Sequence, residues 1–174
     1  MKLHFKQRFF SWFDSYDVWH EDGSIAYTVQ GRLSWGHLLE IHDAMGTHLG
    51  SVKEEIFTLL PRFALYEKGE YIGSVKKQFT LFFKRFELDC EGWTVEGDLF
   101  DWDYTVRDSA GNLIMTASKE LFRWTDTYVL DIADPRHALR CLMIVLAIDA
   151  AACSHNNSYR QNTRSEPDNE LCGI

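Results

Sequence analysis

The sequence has no apolar run of membrane-spanning length. Its uninterrupted stretch Leu142 to Ile148 falls far below the roughly 18 residues a bilayer span needs. Arg140 and Asp149 bracket it, so a buried core helix is expected. Basic charge is also in deficit: 18 Lys and Arg against 26 Asp and Glu leave a net charge of −8. Nonspecific binding to nucleic acid or to anionic membranes relies on a basic surface, so both are disfavoured. Cys90, Cys141, Cys153 and Cys172 contain no C-x-x-C pair, and nothing resembles a secretory signal. Reduced thiols in a cytoplasmic protein are the economical reading. There is no G-x-S-x-G elbow, and Asp98-Leu-Phe-Asp-Trp-Asp103 lacks the Gly turn of a calcium loop. No catalytic constellation, cofactor site or metal site is expected.

What is present is one hydrophobic helix near the end of a chain of strands. Asp134 can cap free N–H groups, and Pro135 suits a first helical position. From Ala138 to Ala152 only Arg140 and Asp149 interrupt the apolar residues. Such a helix has no wide polar face and must be enclosed on nearly all sides. The 18 residues Arg136 to Cys153 would make a rod about 27 Å long, commensurate with strands of about eight residues.

Before the helix the pattern is that of strands and turns. Leu3 and Phe5 alternate in a first half-buried strand, with no targeting segment ahead of it. Tyr16–His20 and Ile25–Val29 flank an Asp22-Gly23 hairpin turn, and Leu38–Ile41 and Leu49–Val52 flank a turn ending at Gly46. Ile56–Leu60 reads as a strand stopped by Pro61. Phe63–Tyr66 and Tyr71–Val75 make another hairpin. Between Gln78 and Asp89 the apolar positions shift from odd (Phe79, Leu81, Phe83) to even (Phe86, Leu88), which predicts a bulge near Lys84-Arg85. Trp93 to Leu99, Tyr104 to Val106, Leu113 to Ala117, Leu121 to Trp124 and Tyr128 to Ile132 bring the total to about a dozen strands. Residues 154–174 are polar and lose the pattern, so a disordered, dispensable tail is expected after a single domain over residues 1–153.

Val29-x-Gly31-x-Leu33 recurs as Val95-x-Gly97-x-Leu99, and Ile41-x-Asp43-x-x-Gly46 as Val106-x-Asp108-x-x-Gly111. Lys53-Glu-Glu-Ile-Phe57 answers to Lys119-Glu-Leu-Phe122. A shared order and an offset of 65 or 66 positions suggest a duplicated meander. If both copies close into one barrel, sheet edges disappear and the helix fills the lumen. Twelve strands tilted by about 40° give a backbone radius of roughly 12 Å, enough to hold a helix. The fold class is therefore mainly β: a closed antiparallel barrel of about twelve strands around one central C-terminal helix.

On these repeat elements, and on the apolar helix after Asp134-Pro135, the chain resembles the LURP-one-related proteins, grouped with tubby domains and phospholipid scramblases in a tubby-like superfamily. The resemblance covers approximately Met1 to Cys153 and implies the same barrel around a helix. It brings no settled activity with it. It also implies a lipid alternative, since tubby domains bind phosphoinositides through a basic patch and scramblases associate with membranes.

The candidate lipid- or anion-binding residues are Lys76, Lys77, Lys84 and Arg85, the densest basic pairs in the chain. Four such residues on one face would contribute roughly 4 kcal/mol, only millimolar binding. No stable association with anionic membranes is expected. His37, His42 and His48 lie close in sequence but lack accompanying ligands, and read as solvated residues. Asp98, Asp101 and Asp103 read as the exposed face of a strand. Arg140 and Asp149 read as anchors near the two barrel mouths, because a buried charge without a partner is costly. The expected function is a non-catalytic soluble binding or scaffold module with a protein or small-molecule partner and no nucleic acid.

Overall fold

The computed structural model describes residues 1–6, 15–78, 85–98, 103–120 and 127–153. Twelve strands form one antiparallel sheet: β1 (Lys2–Lys6), β2 (Ser15–His20), β3 (Ile25–Ser34), β4 (Gly36–Asp43), β5 (His48–Glu54), β6 (Arg62–Glu67), β7 (Glu70–Gln78), β8 (Arg85–Asp89), β9 (Thr94–Asp98), β10 (Asp103–Arg107), β11 (Leu113–Glu120) and β12 (Thr127–Ile132). Every strand pairs with its sequence neighbour except at β8 and β9, and β1 pairs with β12, so the order runs β8 through β1, then β12 through β9. The two end strands approach each other, and the barrel is nearly closed.

A 3₁₀ turn, Pro135–His137, leads into α1 (Ala138–Cys153). Asp134 caps this turn as its sequence position predicts, its Oδ1 accepting from the Arg136 N–H at 2.9 Å. The expected rod was slightly long, because the α-helical part is 16 residues. Cys141 to Ile148 are all buried, and Leu3, Val18, Val29, Ile41, Val52, Leu65 and Leu130 close over them from the strands. Full burial of such a side chain contributes about 1.5–3 kcal/mol. The helix lies nearest β5, β6, β7 and β12. Gly50 on β5 lets it come so close: a Cβ there would collide with Met143 Cε and the Tyr66 carbonyl oxygen. Among the described residues, no helix is long and apolar enough to cross a membrane.

Two strand expectations need correction. Ile56–Leu60 is not a strand: it lies in the connection between β5 and β6. The parity change after Gln78 marks no bulge, because β7 and β8 pair antiparallel with Gln78 opposite Arg85. The chain reverses between them, and a reversal resets which positions face inward. The expected strand at Leu121 to Trp124, and the tail 154–174, lie outside the described residues.

Candidate functional site

Because the sheet is an up-and-down meander, its two ends differ in what they carry. At one end the chain turns tightly. Asp22 Oδ1 accepts from the Ser24 N–H and hydroxyl. Asp43 Oδ1 accepts from the Met45 and Thr47 N–H groups, and Asp108 Oδ1 accepts from those of Ala110 and Asn112. These bonds favour the charged carboxylates, and all three titrate below the usual aspartate range. Arg136 lowers Asp134 further, to about 2.

The helix enters at this turn end. Arg140 Nε donates to Glu67 Oε2 at 2.7 Å, and its Nη1 pairs with Glu91 Oε1. It thus clasps the β6–β7 turn to the β8–β9 turn, the anchoring role read from its position. His137, one turn earlier on the helix, stacks edge-on against buried Trp93 at 5.1 Å.

At the other end, where the helix finishes, the chemistry reverses. Asp149 makes no hydrogen bond or ion pair with any described residue, and burial pushes its carboxyl up to about 7. The hydroxyls of Tyr16 on β2 and Tyr104 on β10 lie in the same buried region, and both are pushed well above the normal phenol range, first by burial and then by the Asp149 charge. Near the helix start, burial pushes the Cys141 thiol up to about 12. These shifts come from packing in an apolar interior, where Tyr104 and Cys141 are buried and Tyr16 and Asp149 partly buried.

Of the candidate basic residues, the two whose side chains are described, Lys76 and Lys77, lie on opposite faces of β7. Lys76 is exposed, opposite Arg62 and Glu87 on the outer surface. Lys77 is 8% exposed and turns inward. Its Nζ donates to the Ala151 carbonyl at 3.4 Å, where a cation suits the negative end of the helix. Lys84 and the Arg85 side chain lie outside what is described.

The three histidines make no metal site. His37 approaches Glu54 at 3.8 Å, and His42 and His48 sit in register with their rings edge to face. No group able to hold a metal ion occurs among the described residues. Asp98 and Asp103 face each other in register and are exposed; Asp101 lies outside the described residues.

One feature escaped the sequence reading. Trp35 is 83% exposed, Phe57 is 93% exposed and Leu59 is fully exposed, and Ile56 is partly exposed beside them. They occupy neighbouring connections at the loop end. Gly36 packs against Ile56 so closely that a Cβ there would stand 2.7 Å from Ile56 Cγ2. The Glu55 N–H donates to the Arg62 carbonyl at 2.9 Å and the Thr58 hydroxyl to the Glu55 carbonyl at 2.8 Å, so the base of the loop is closed. The available signal was periodicity: Ile56-Phe-Thr-Leu-Leu60 does not alternate, and Pro61 follows it.

Comparisons with known proteins agree with this architecture. A solved structure of a protein from Arabidopsis thaliana superposes with a TM-score of 0.58 at 13% identity, covering 85% of this chain and 90% of that one. At that identity the likeness speaks for the fold alone. The Bacillus subtilis (strain 168) uncharacterized protein YxjI is 30% identical over 150 residues, 86% of this chain and 92% of that protein. The family model described as LURP-one-related matches residues 1–149, nearly the whole barrel and helix. The chain belongs to the LURP-one-related family.

Proposed function

We propose that this chain is a non-catalytic, soluble binding module that engages a protein or small-molecule partner from outside the barrel. One observation carries the reading: α1 occupies the lumen, and Cys141 to Ala147 are each at most 1% exposed. A protein that carries a ligand inside a barrel needs that space empty. The strongly shifted groups, Tyr16, Tyr104, Cys141 and Asp149, point to the same conclusion. Shifted titrations often mark active sites, but these follow from burial around the helix. The free, buried thiols of Cys90 and Cys141 suit a reducing cytoplasm. Residues 1–153 form the working unit, and the tail after them is not required.

The alternative, a lipid- or phosphoinositide-interacting protein, would draw on Lys76, Lys77, Lys84 and Arg85. The inward turn of Lys77 weakens such a patch.

Native mass spectrometry of the purified full chain tests the reading, joined to a thermal-shift screen of soluble metabolites and lipid headgroups. The expected result is the mass of protein without an enclosed small molecule, and hits whose stabilisation is removed by outer-surface substitutions that leave the ligand-free melting temperature unchanged. A small molecule that stays bound until the protein unfolds would place the site in the lumen and overturn the proposal.

A further inference from the structure

The rim formed by Trp35, Ile56, Phe57 and Leu59 needs an occupant. We propose that it is the face through which two copies of this chain pair. The inference rests on the reading that the outer surface is the working surface, and it specifies which part of that surface pairs.

Area supports it first. Two nearly full aromatic side chains, a full leucine and part of an isoleucine present roughly 600 Å² of apolar surface, at the top of the range for a soluble monomer's largest patch. A stable interface needs about 800 Å² from each partner. The four side chains would supply the apolar core of such an interface, and the polar residues around them its border.

Charge is the second support. Near the rim Arg32, Lys53 and Arg62 stand against Glu40, Glu54 and Glu55, and Lys76, in register with Arg62, is opposite Glu87, so the signs balance. Arg32 Nε meets Glu40 Oε2 at 3.1 Å, and Arg62 Nε meets Glu55 Oε2 at 3.2 Å. The rim is therefore neutral on a chain that carries −8. It is where a second copy can approach without setting like charges against each other. The same balance gives an anionic bilayer nothing to attract, while the acidic remainder of the chain is repelled.

Preorganisation is the third. The closed loop base, the Gly36 contact with Ile56 and the 3.1 Å bond from the His37 N–H to Glu54 Oε2 hold both connections in place before any partner arrives. Little further ordering is required on pairing. A two-fold axis through the rim would set Trp35 of each copy against Phe57 and Leu59 of the other, closing the assembly at two.

Sedimentation equilibrium of the full chain, run with a thiol reductant across the micromolar range, tests this. The expected result is a concentration-dependent rise from 20.3 kDa towards twice that mass. In the double variant Phe57→Ser/Leu59→Ser the dissociation constant should rise about thirtyfold or more, with the monomer's circular dichroism unchanged. Met45→Ser, which removes an exposed apolar side chain at the turn end, should leave pairing as it was. A monomer at every concentration overturns the proposal, as does a dimer that the double variant leaves intact. A monomer that instead sediments with phosphatidylcholine vesicles through Phe57 and Leu59 assigns the rim to a bilayer and also overturns it. None of these results would reveal a ligand in the lumen, so failure here is distinct from failure of the outside-binding reading.

Discussion

The two ends of this barrel are built from the same strands and handle polar groups in opposite ways. At the turn end, Asp22, Asp43, Asp108 and Asp134 each accept hydrogen bonds from nearby backbone N–H groups, and their charged forms are favoured. Arg140 there is paired twice. At the loop end a carboxyl is held in a desolvated interior, and large apolar side chains stand in water. The turn end also exposes Met45, but its charged groups are gathered into bonds that favour the fold, whereas Trp35, Phe57 and Leu59 add nothing visible to it. Side chains so placed are the first to ask a function of.

The largest expected effect comes from breaking the rod that joins the ends. Ile144 is fully buried near the middle of α1, with apolar neighbours on every side. Ile144→Asp would bury a carboxylate there with no partner, a loss above about 4 kcal/mol, comparable to the whole stability of many domains. The variant should be insoluble or lack cooperative melting. A soluble Ile144→Asp protein with a wild-type melting curve would mean that the helix is not enclosed, and the comparison of ends would lose its basis.

A smaller effect is expected from Arg140→Met, which sharpens the comparison by opening the turn end alone. The methionine keeps the apolar stem and removes the clasp between Glu67 and Glu91. All three side chains are partly exposed, so the carboxylates left behind can reach water and the loss should stay near 1–2 kcal/mol. Denaturant unfolding would measure it. A change below about 0.3 kcal/mol would show that the clasp is a surface pair of no consequence.

How much of this was legible in the sequence follows the same division. Local rules carried the turn end: Asp22-Gly23, Asp43 with Gly46, Asp108 with Gly111 and the Asp134 cap all stand where turn and cap chemistry places them. The buried helix was legible too, because an all-round apolar stripe has no alternative in water. The loop end was not. Whether Ile56 to Leu60 pairs or protrudes depends on how β5 and β6 meet, which no local pattern states. Lys77 was misread for a similar reason. Charge suggests the surface, but its strand parity matches that of buried Val75, and the carbonyl it meets lies 74 positions away. Asp149 does lie near the loop end, but as a desolvated carboxyl without a partner among the described residues rather than as the water-reaching anchor its position suggests.

The smallest expected effect is a difference in pH dependence between the ends, carried by Asp149. Its carboxyl titrates near 7 in the folded chain and near 3.9 when unfolded. Between those values the folded state holds a proton that the unfolded state has lost. Stability from this group is therefore present at acidic pH, declines as pH rises from about 4 to about 7, and stays at its lower level above that. The turn-end aspartates act in the opposite sense. Their folded values lie below 3.8, so their contribution is full above about 4 and is lost as pH falls further. His37, lowered by burial, also costs stability below about 6.5, and comparing a variant with wild type at each pH cancels it. Asp149→Asn keeps the shape and removes the charge. The full shift would correspond to about 4 kcal/mol; since Asp149 is partly exposed, a gain of about 1–2 kcal/mol at pH 8 is expected, or roughly 2–8 °C in melting temperature for a chain of this size. The gain should shrink as pH falls below about 7 and vanish only near pH 4, where the carboxyl is protonated in the unfolded chain as well. Melting temperatures of both proteins from pH 4.5 to pH 8.5 would decide it. Parallel curves would mean that Asp149 titrates as an ordinary surface carboxylate, and an Asn variant less stable at pH 8 would mean that the carboxylate has an ionic partner when folded.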